Sequence, residues 1–295
     1  MIRAIRKLVH RERPTIVHTH AYKADVLARI ALGQAAPQVI TAHGFTGGNL
    51  KNRIYEWIDQ QVMKRASAVI AVSDALTKQL EQAGVHPHRI HWVPNGAIAP
   101  AFLDRRGARR SLGLDHEMVV IGWVGRLSRE KGPDVFIESA SHVSATGTQF
   151  VLIGAGPLES SLRSRAASLA PARDIRLLGR REDAAQFLRG FDMLVLSSRT
   201  EGSPIIIAEA LQAGIPIVAT AVGDVPRLAD TLGSIVLAEP GDSRDLAVKI
   251  TATLQDLPVH RAHAEEARSM ATDIVGPASW VRALEHVYQL VCANQ

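Results

Sequence analysis

The chain has 295 residues, 46% of them hydrophobic, enough for about two domains with full cores. Its one cysteine, Cys292, excludes a disulfide framework within the chain and favours a reducing compartment, so a cytoplasmic protein is expected. Residues 1–107 carry 15 Lys and Arg against 7 Asp and Glu, and the remainder carry 19 against 22. A basic half suits anionic ligands or an anionic membrane surface, and the plainer alternative is an Arg-rich solvated face. Aromatic residues are only 4% and do not interleave with the basic ones, which argues against nucleic-acid binding.

The opening "MIRAIRKLVHRERP" is basic and amphipathic without an apolar central run, so it reads as a helix rather than a secretory leader. Four short β-rich runs follow, separated by amphipathic segments: "TIVHT" (15–19), "QVITA" (38–42), "SAVIAV" (67–72) and "IHWVP" (90–94). A second series comprises "MVVIGWVG", "QFVLIGAG", "IRLLG", "DMLVLSS", "IPIVAT" and "GSIVLAE". Near-continuous apolar strands alternating with helices predict α/β architecture with two Rossmann-like, doubly wound parallel sheets. The longest apolar stretch, 204–223, carries Glu209 and is broken by Gly214 and Pro216. It therefore reads as a helix and a buried strand, not a membrane span. The charged, glycine-broken segment 100–117 reads as a linker. The expected domains are thus 1–107, joined by the C-terminal helix 279–295, and 108–278. In that last helix Val281, Leu284, Val287, Tyr288 and Val291 fall on one stripe.

Ligands of open parallel sheets bind beyond the carboxyl ends of the strands. After "MVVIGWV" comes "GRLSREKGPDVF", where Gly125 permits a tight turn, Arg126 and Lys131 lie five apart, and Pro133 suits a helix start. Two cations beside a helix N-terminus suit a diphosphate, and the alternative is a solvated basic loop. After "QFVLI", Gly154 and Gly156 allow close backbone approach of a ligand or serve turn geometry alone. After "DMLVLSS", Glu201 and Glu209 flank "GSPIIIA". Ser203 and Pro204 are expected to start a helix running to about Ala213. Eight residues of helical rise amount to ~12 Å, the scale of a sugar at one end and a ribose at the other. Phosphates would then lie over the amides of 203–206, although a capping Glu and a stray polar position would look the same. His43, in "HGFTGG" after "QVITA", can reach a cleft and exchange protons near neutral pH, or simply bond its loop. His18 and His20 point to one side of their strand. With no third ligand evident and no D-x-D anywhere, no metal site is expected.

The segments "VHTHAYKADVLARIA", "GRLSREKGPDVFIESA", "FVLIGAGP" and "FDMLVLSSRTEGSPIIIAEALQAGIPIVAT" resemble glycosyltransferase family 4, retaining enzymes of the two-domain GT-B fold. The resemblance covers nearly the whole chain, and G-R-x4-K together with E-x7-E is specific. It implies that Arg126 and Lys131 bind the donor diphosphate, Glu209 the ribose and Glu201 the transferred sugar, with His43 the active-site histidine of the first domain. The implied catalytic set is His43, Glu201, Arg126 and Lys131. Gly125, Gly154, Gly156, Arg180, Gly202, Ser203, Pro204 and Ile205 join Arg126, Lys131, Glu201 and Glu209 in the implied donor site. No cofactor or metal is implied beyond the nucleotide diphosphate sugar itself. The acceptor would be a glycan or lipid-linked molecule in cell-envelope or polysaccharide biosynthesis, with a peripheral position at the inner face of the plasma membrane. Alternatives on the same architecture are a nucleotide-sugar 2-epimerase and a non-catalytic nucleotide-sugar-binding remnant.

Two departures from the family pattern stand out. The family's "GG-x-P-E" stretch reads Gly223-Asp224-Val225-Pro226-Arg227 here. Family members also begin with a strand, a glycine-rich loop and two further βα units. At ~30 residues per unit, about 90 residues of the first domain are expected to be missing, which leaves "TIVHT" at a sheet edge and the acceptor crevice short of one wall.

Overall fold

A computed structural model describes residues 1–33, 35–44, 50–170 and 172–293. The chain forms two compact units, Met1–Asn95 with Ala278–Gln295, and Gly96–Pro277.

In chain order, the first unit contains α1 (Ile2–Glu12), β1 (Val17–His20), α2 (Tyr22–Leu32), β2 (Gln38–Ala42), α3 (Leu50–Met63), β3 (Ala68–Ala71), α4 (Asp74–Gln82) and β4 (Ile90–Trp92). Its four strands are parallel and lie in the order β1-β2-β3-β4. Strand alternation sorts the side chains. Ile40, Ala42, Val69 and Ala71 pack with Met63, Leu76 and Leu80 on one face. Val39, Ala68 and Ile70 pack on the other face against Leu284, Val287 and Val291 of the C-terminal helix. Val281, expected on that stripe, is exposed, so the sheet-facing run begins at Leu284. Among the described residues, β1 pairs only with β2. Val9 of α1 packs with Ala28 and Leu32 of α2.

The second unit contains α5 (Arg105–Leu112), β5 (Val119–Val124), α6 (Pro133–His142), β6 (Thr148–Ile153), α7 (Glu159–Leu169), β7 (Asp174–Leu177), β8 (Met193–Leu196), α8 (Ile205–Ala213), β9 (Ile217–Thr220), α9 (Val225–Leu232), β10 (Ile235–Ala238), α10 (Ser243–Gln255) and α11 (Leu257–Val275). Helix α12 (Pro277–Ala293) then returns to the first unit. The six strands are parallel, in the order β10-β9-β8-β5-β6-β7. Helices cover both faces through two separate apolar clusters.

The segment 100–117 is not a linker. Asp104 caps α5 by accepting the Gly107 amide at 2.6 Å. Arg109 is fully buried, donating to the carbonyls of Gly190, Asp115, His116 and Met118 and to Asp192. Four arginines within six residues look solvated in sequence, but a guanidinium whose donors are met can be buried. The boundary therefore falls at Asn95, not near residue 107.

Candidate functional site

In the second sheet the strand order reverses between β5 and β8, which opens a crevice beyond their carboxyl ends. Two loops meet there, 125–132 after β5 and 197–204 after β8. Trp123 Nε1 donates to Ser197 Oγ at 3.0 Å, and that hydroxyl donates to the Gly132 carbonyl at 2.7 Å. Gly132 turns at φ 63°, and a Cβ there would stand 2.0 Å from the Ser197 carbonyl. Only glycine allows this approach. The Arg199 amide donates to the Glu130 carbonyl at 2.8 Å, and its guanidinium grips Asp134 at 2.7 and 2.8 Å. These contacts fix one loop against the other.

The stitching brings Lys131 to Glu201. Nζ lies 2.7 Å from both carboxylate oxygens, and Ser198 Oγ donates to Oε1 at 2.7 Å. The Glu201 side chain is 7% exposed and that of Lys131 34%. Arg126 is exposed on the same loop. The Ser128 hydroxyl holds the Glu130 carboxyl below its usual range, and the charges of Arg126 and Lys131 act in the same direction. Arg126, Lys131 and Glu201 are thus gathered at the switch point.

Helix α8 starts at Ile205 with Pro204 at its N-cap, a residue whose side chain makes no cap bond. Its first-turn amides carry the positive end of the helix dipole. Only 205–209 of the span between the two glutamates is helical, so helical rise alone does not set their separation. Glu209 is half-buried, and burial pushes its carboxyl up. Gly223 presses on Gly202, since a Cβ at φ 57° would stand 2.1 Å from the Gly202 carbonyl. The Asp224 amide donates to that same carbonyl at 2.9 Å. Of the two departures in this stretch, Asp224 is buried at the start of α9 and Arg227 is exposed.

Gly154 and Gly156 serve loop packing. A Cβ on Gly154 would meet the Gly125 carbonyl at 1.8 Å, and one on Gly156 the Leu127 carbonyl at 2.5 Å. The space their missing side chains leave is filled by neighbouring backbone. Arg180 is exposed and lies 3.4 Å from Glu182 rather than joining the Lys131–Glu201 network.

In the first unit, His18, His20 and His43 cluster at the ends of β1 and β2. His18 Nδ1 lies 2.7 Å from Tyr288 Oη and Nε2 lies 2.7 Å from Thr41 Oγ1. Burial, then the neighbouring His20 and His43, push its pKa down to about 4. His20 Nδ1 lies 3.2 Å from His43 Nε2, and burial and His20 lower His43 as well. The glycines at 47 and 48 of "HGFTGG" lie outside the described residues. His43 lines a cavity with Asp25 and Asp59, two buried carboxyls the motif reading passed over. The sequence signals the burial of Asp25 alone, which sits at helical spacing with the buried Ala28 and Leu32.

A "Glycosyltransferase Family 4" model matches residues 1–98, and a "Glycosyl transferases group 1" model matches 119–256. The chain is 31% identical over 229 residues to the UDP-Gal:alpha-D-GlcNAc-diphosphoundecaprenol alpha-1,3-galactosyltransferase of Escherichia coli, covering 72% of this chain and 59% of that protein. It is 28% identical over 279 residues to a D-inositol 3-phosphate glycosyltransferase of Mycobacterium sp. (strain KMS), covering 87% and 63%. The chain thus spans about three-fifths of the length of these relatives. Among solved structures, Alr3699/HepE of Anabaena in complex with UDP matches with a TM-score of 0.85 at 22% identity, covering 99% of this chain and 82% of that one. Sucrose-phosphate synthase of Thermosynechococcus elongatus matches with a TM-score of 0.85 at 18% identity, covering 100% and 78%. Two family models spanning most of the chain, and two parallel-sheet α/β units of the GT-B fold, make this chain a member of glycosyltransferase family 4.

Proposed function

We propose that the chain serves transfer of a sugar, with retention, from a nucleotide diphosphate sugar to a glycan or lipid-linked acceptor. The observation that carries this reading is the Lys131–Glu201 pair at the switch point, beside exposed Arg126 and the start of α8.

Counting donors and acceptors gives the roles. Lys131 has three N–H donors and directs two at Glu201, so one remains for a diphosphate oxygen. Glu201 accepts from Ser198 and twice from Lys131, so about one lone pair remains for a hydroxyl of the transferred sugar. Arg126, Lys131 and the amides at the start of α8 stabilise the charge that grows on the departing diphosphate. Glu209, one turn into α8, takes the ribose hydroxyls. The first unit serves the acceptor, with His43 held neutral near pH 7 as its proton-exchanging group.

The E. coli relative is named for a UDP-sugar, and the Anabaena protein is described in complex with UDP-glucose, so uridine donors are the first to test. Incubation with UDP-glucose or UDP-galactose and lipid-linked acceptors should release UDP and yield a product with the donor's anomeric configuration by NMR. Inverted product would refute retention, and sugar isomerisation without transfer would favour a 2-epimerase.

No helix among the described residues is long and apolar enough to cross a membrane. The basic face of α1, with Arg3, Arg6, Lys7 and Arg11, followed by Arg13, is the part suited to an anionic membrane surface, at ~1 kcal/mol per residue. Flotation with anionic vesicles at low salt, reversed at high salt, would support this, and absence of binding at low salt would refute it.

A further inference from the structure

A cavity of about 600 Å³ lies at the amino ends of β8 and β9, the far end of these strands from the switch-point crevice. Asp192 leads into β8 on its floor, and Pro216 leads into β9. Arginines reach it from three elements: Arg105 from α5, Arg189 from the turn before β8, and Arg261 and Arg268 from α11.

The charges there do not balance. Asp192 is 2% exposed, and its lone pairs are taken. Oδ2 accepts from Arg109 and from the Val120 amide, and Oδ1 accepts from Arg105 at 2.8 Å and from Arg261. One buried carboxylate needs one buried guanidinium, and the fully buried Arg109 is that partner. Arg105 and Arg261 differ from it. Their side chains are each 48% exposed, and both are held at the same carboxylate oxygen. Arg189 donates Nε to the Ala213 carbonyl at 3.3 Å, and Arg268 pairs with Glu265. Five guanidiniums thus meet two carboxylates, Asp192 and Glu265. The carboxyl end of α8 at Gly214 adds only a partial negative charge. Like charges gathered over a recessed floor repel one another, and an anion between them removes that cost.

The donors narrow the anion. A guanidinium carries five N–H donors in a planar fork, and Arg105 and Arg261 each place one on Asp192. The others suit the several oxygens of a phosphate, and the excess of positive charge suits a dianion better than a single carboxylate. The cavity's size is that of a small-molecule site, roughly 300–1,000 Å³, and its floor lies below the surface at buried Phe191 and Asp192. A recess of this kind favours a small ligand over a flat lipid surface.

We propose that this cavity binds the phosphate of a small phosphorylated molecule, a monoester or a diphosphate, through Arg105 and Arg261, with Arg189 and Arg268 adding charge. The site is distinct from the donor crevice, because β8 starts at the one and ends at the other, and α8 runs between them in reverse. The inference rests on charge and packing in the second unit and is independent of the transferase reading.

The test is NMR titration of the isotope-labelled full chain with inorganic phosphate and with pyrophosphate, run with and without UDP and repeated on Arg126→Ala. Saturable shifts are expected at the amides of Gly190, Asp192 and Gly214, with midpoints of about a millimolar or below. They should persist with UDP present and in Arg126→Ala. Arg105→Gln and Arg261→Gln should each weaken binding about tenfold or more. Both side chains are half exposed and Asp192 keeps Arg109, so melting curves should show intact folding. If either variant unfolds, Arg268→Gln, which lies outside the Asp192 network, carries the test with the same expected loss. No saturable shift from either probe up to about 0.1 M overturns the site. So do equal shifts from sodium chloride at matched ionic strength, loss of the shifts with UDP or in Arg126→Ala, or unchanged affinity in the folded variants. Shifts at these amides from phosphatidylglycerol vesicles, with both soluble probes silent, would assign the cavity to a lipid headgroup and overturn the small-molecule reading.

Discussion

Lys131 Nζ stands 2.7 Å from both carboxylate oxygens of Glu201, joining two loops that leave adjacent strands on either side of the sheet's switch point. Seventy residues separate the two in sequence. The pair neutralises a carboxylate on a side chain that is almost fully buried, while the Lys131 side chain keeps a third of its surface toward solvent.

Lys131→Met leaves Glu201 buried with Ser198 as its remaining donor. That should lower the stability of the second unit by about 1–3 kcal/mol and weaken nucleotide diphosphate binding by about ten- to a hundredfold. Adding Glu201→Gln to Lys131→Met should restore the stability but not the affinity. Urea unfolding paired with calorimetry reads both. If the single variant loses neither, the pair is an incidental surface contact.

Glu209 and Glu201 should divide the donor between them. Glu209→Ala is expected to weaken free UDP and UDP-sugar alike, because the partner proposed for it is the ribose. Glu201→Gln should leave free UDP nearly untouched and blunt discrimination among UDP-sugars. Competition binding with UDP, UDP-glucose and UDP-galactose decides this, and equal loss of free UDP in both variants would contradict the assignment.

Two groups in the first unit titrate with opposite effects on stability. Asp59 has a folded pKa of about 7, above the ~3.9 of an unfolded aspartate. The native state therefore binds the extra proton, and this contribution falls as pH rises from ~4 to about 7. His18 has a folded pKa of about 4, below the unfolded ~6.5. Here the unfolded state binds the extra proton, so stability is lost as pH falls from ~6.5 to about 4. The slopes oppose each other across one window. Asp59→Asn should expose the acid sensitivity due to His18, and His18→Gln should expose the opposite slope. Melting temperatures of the first unit against pH provide the check, and variant curves parallel to the parent's would refute it.

The ten strands among the described residues were legible in the sequence, because each lies in a short β-rich run between turn signals, although β4 keeps only three residues. The start of α8 and the meeting of the Arg126 and Glu201 loops were legible too, since strand-end positions are where such sheets place ligands. Three things were not. Arg109 and its neighbours read as a solvated linker, because nothing local reveals that Asp192, eighty-three residues on, accepts from Arg109 inside the core. Gly154 and Gly156 left ligand access and turn geometry equally open, because a missing side chain looks the same in sequence whether a phosphate or the Gly125 carbonyl fills the space. Asp25 and Asp59 went unremarked, since each alone is an ordinary helical aspartate and only the fold brings both to one cavity.

The central claim is that the crevice between β5 and β8 binds a nucleotide diphosphate through its cations. The most direct measurement is calorimetric titration of the whole chain with UDP, repeated on Arg126→Ala. Arg126 is exposed, so its removal should leave folding intact. The account predicts binding by the parent chain and a loss of about ten- to a hundredfold in the variant, as one charge-assisted hydrogen bond to the diphosphate is removed. No binding of UDP by the parent chain, or equal affinity in the two proteins, would contradict it.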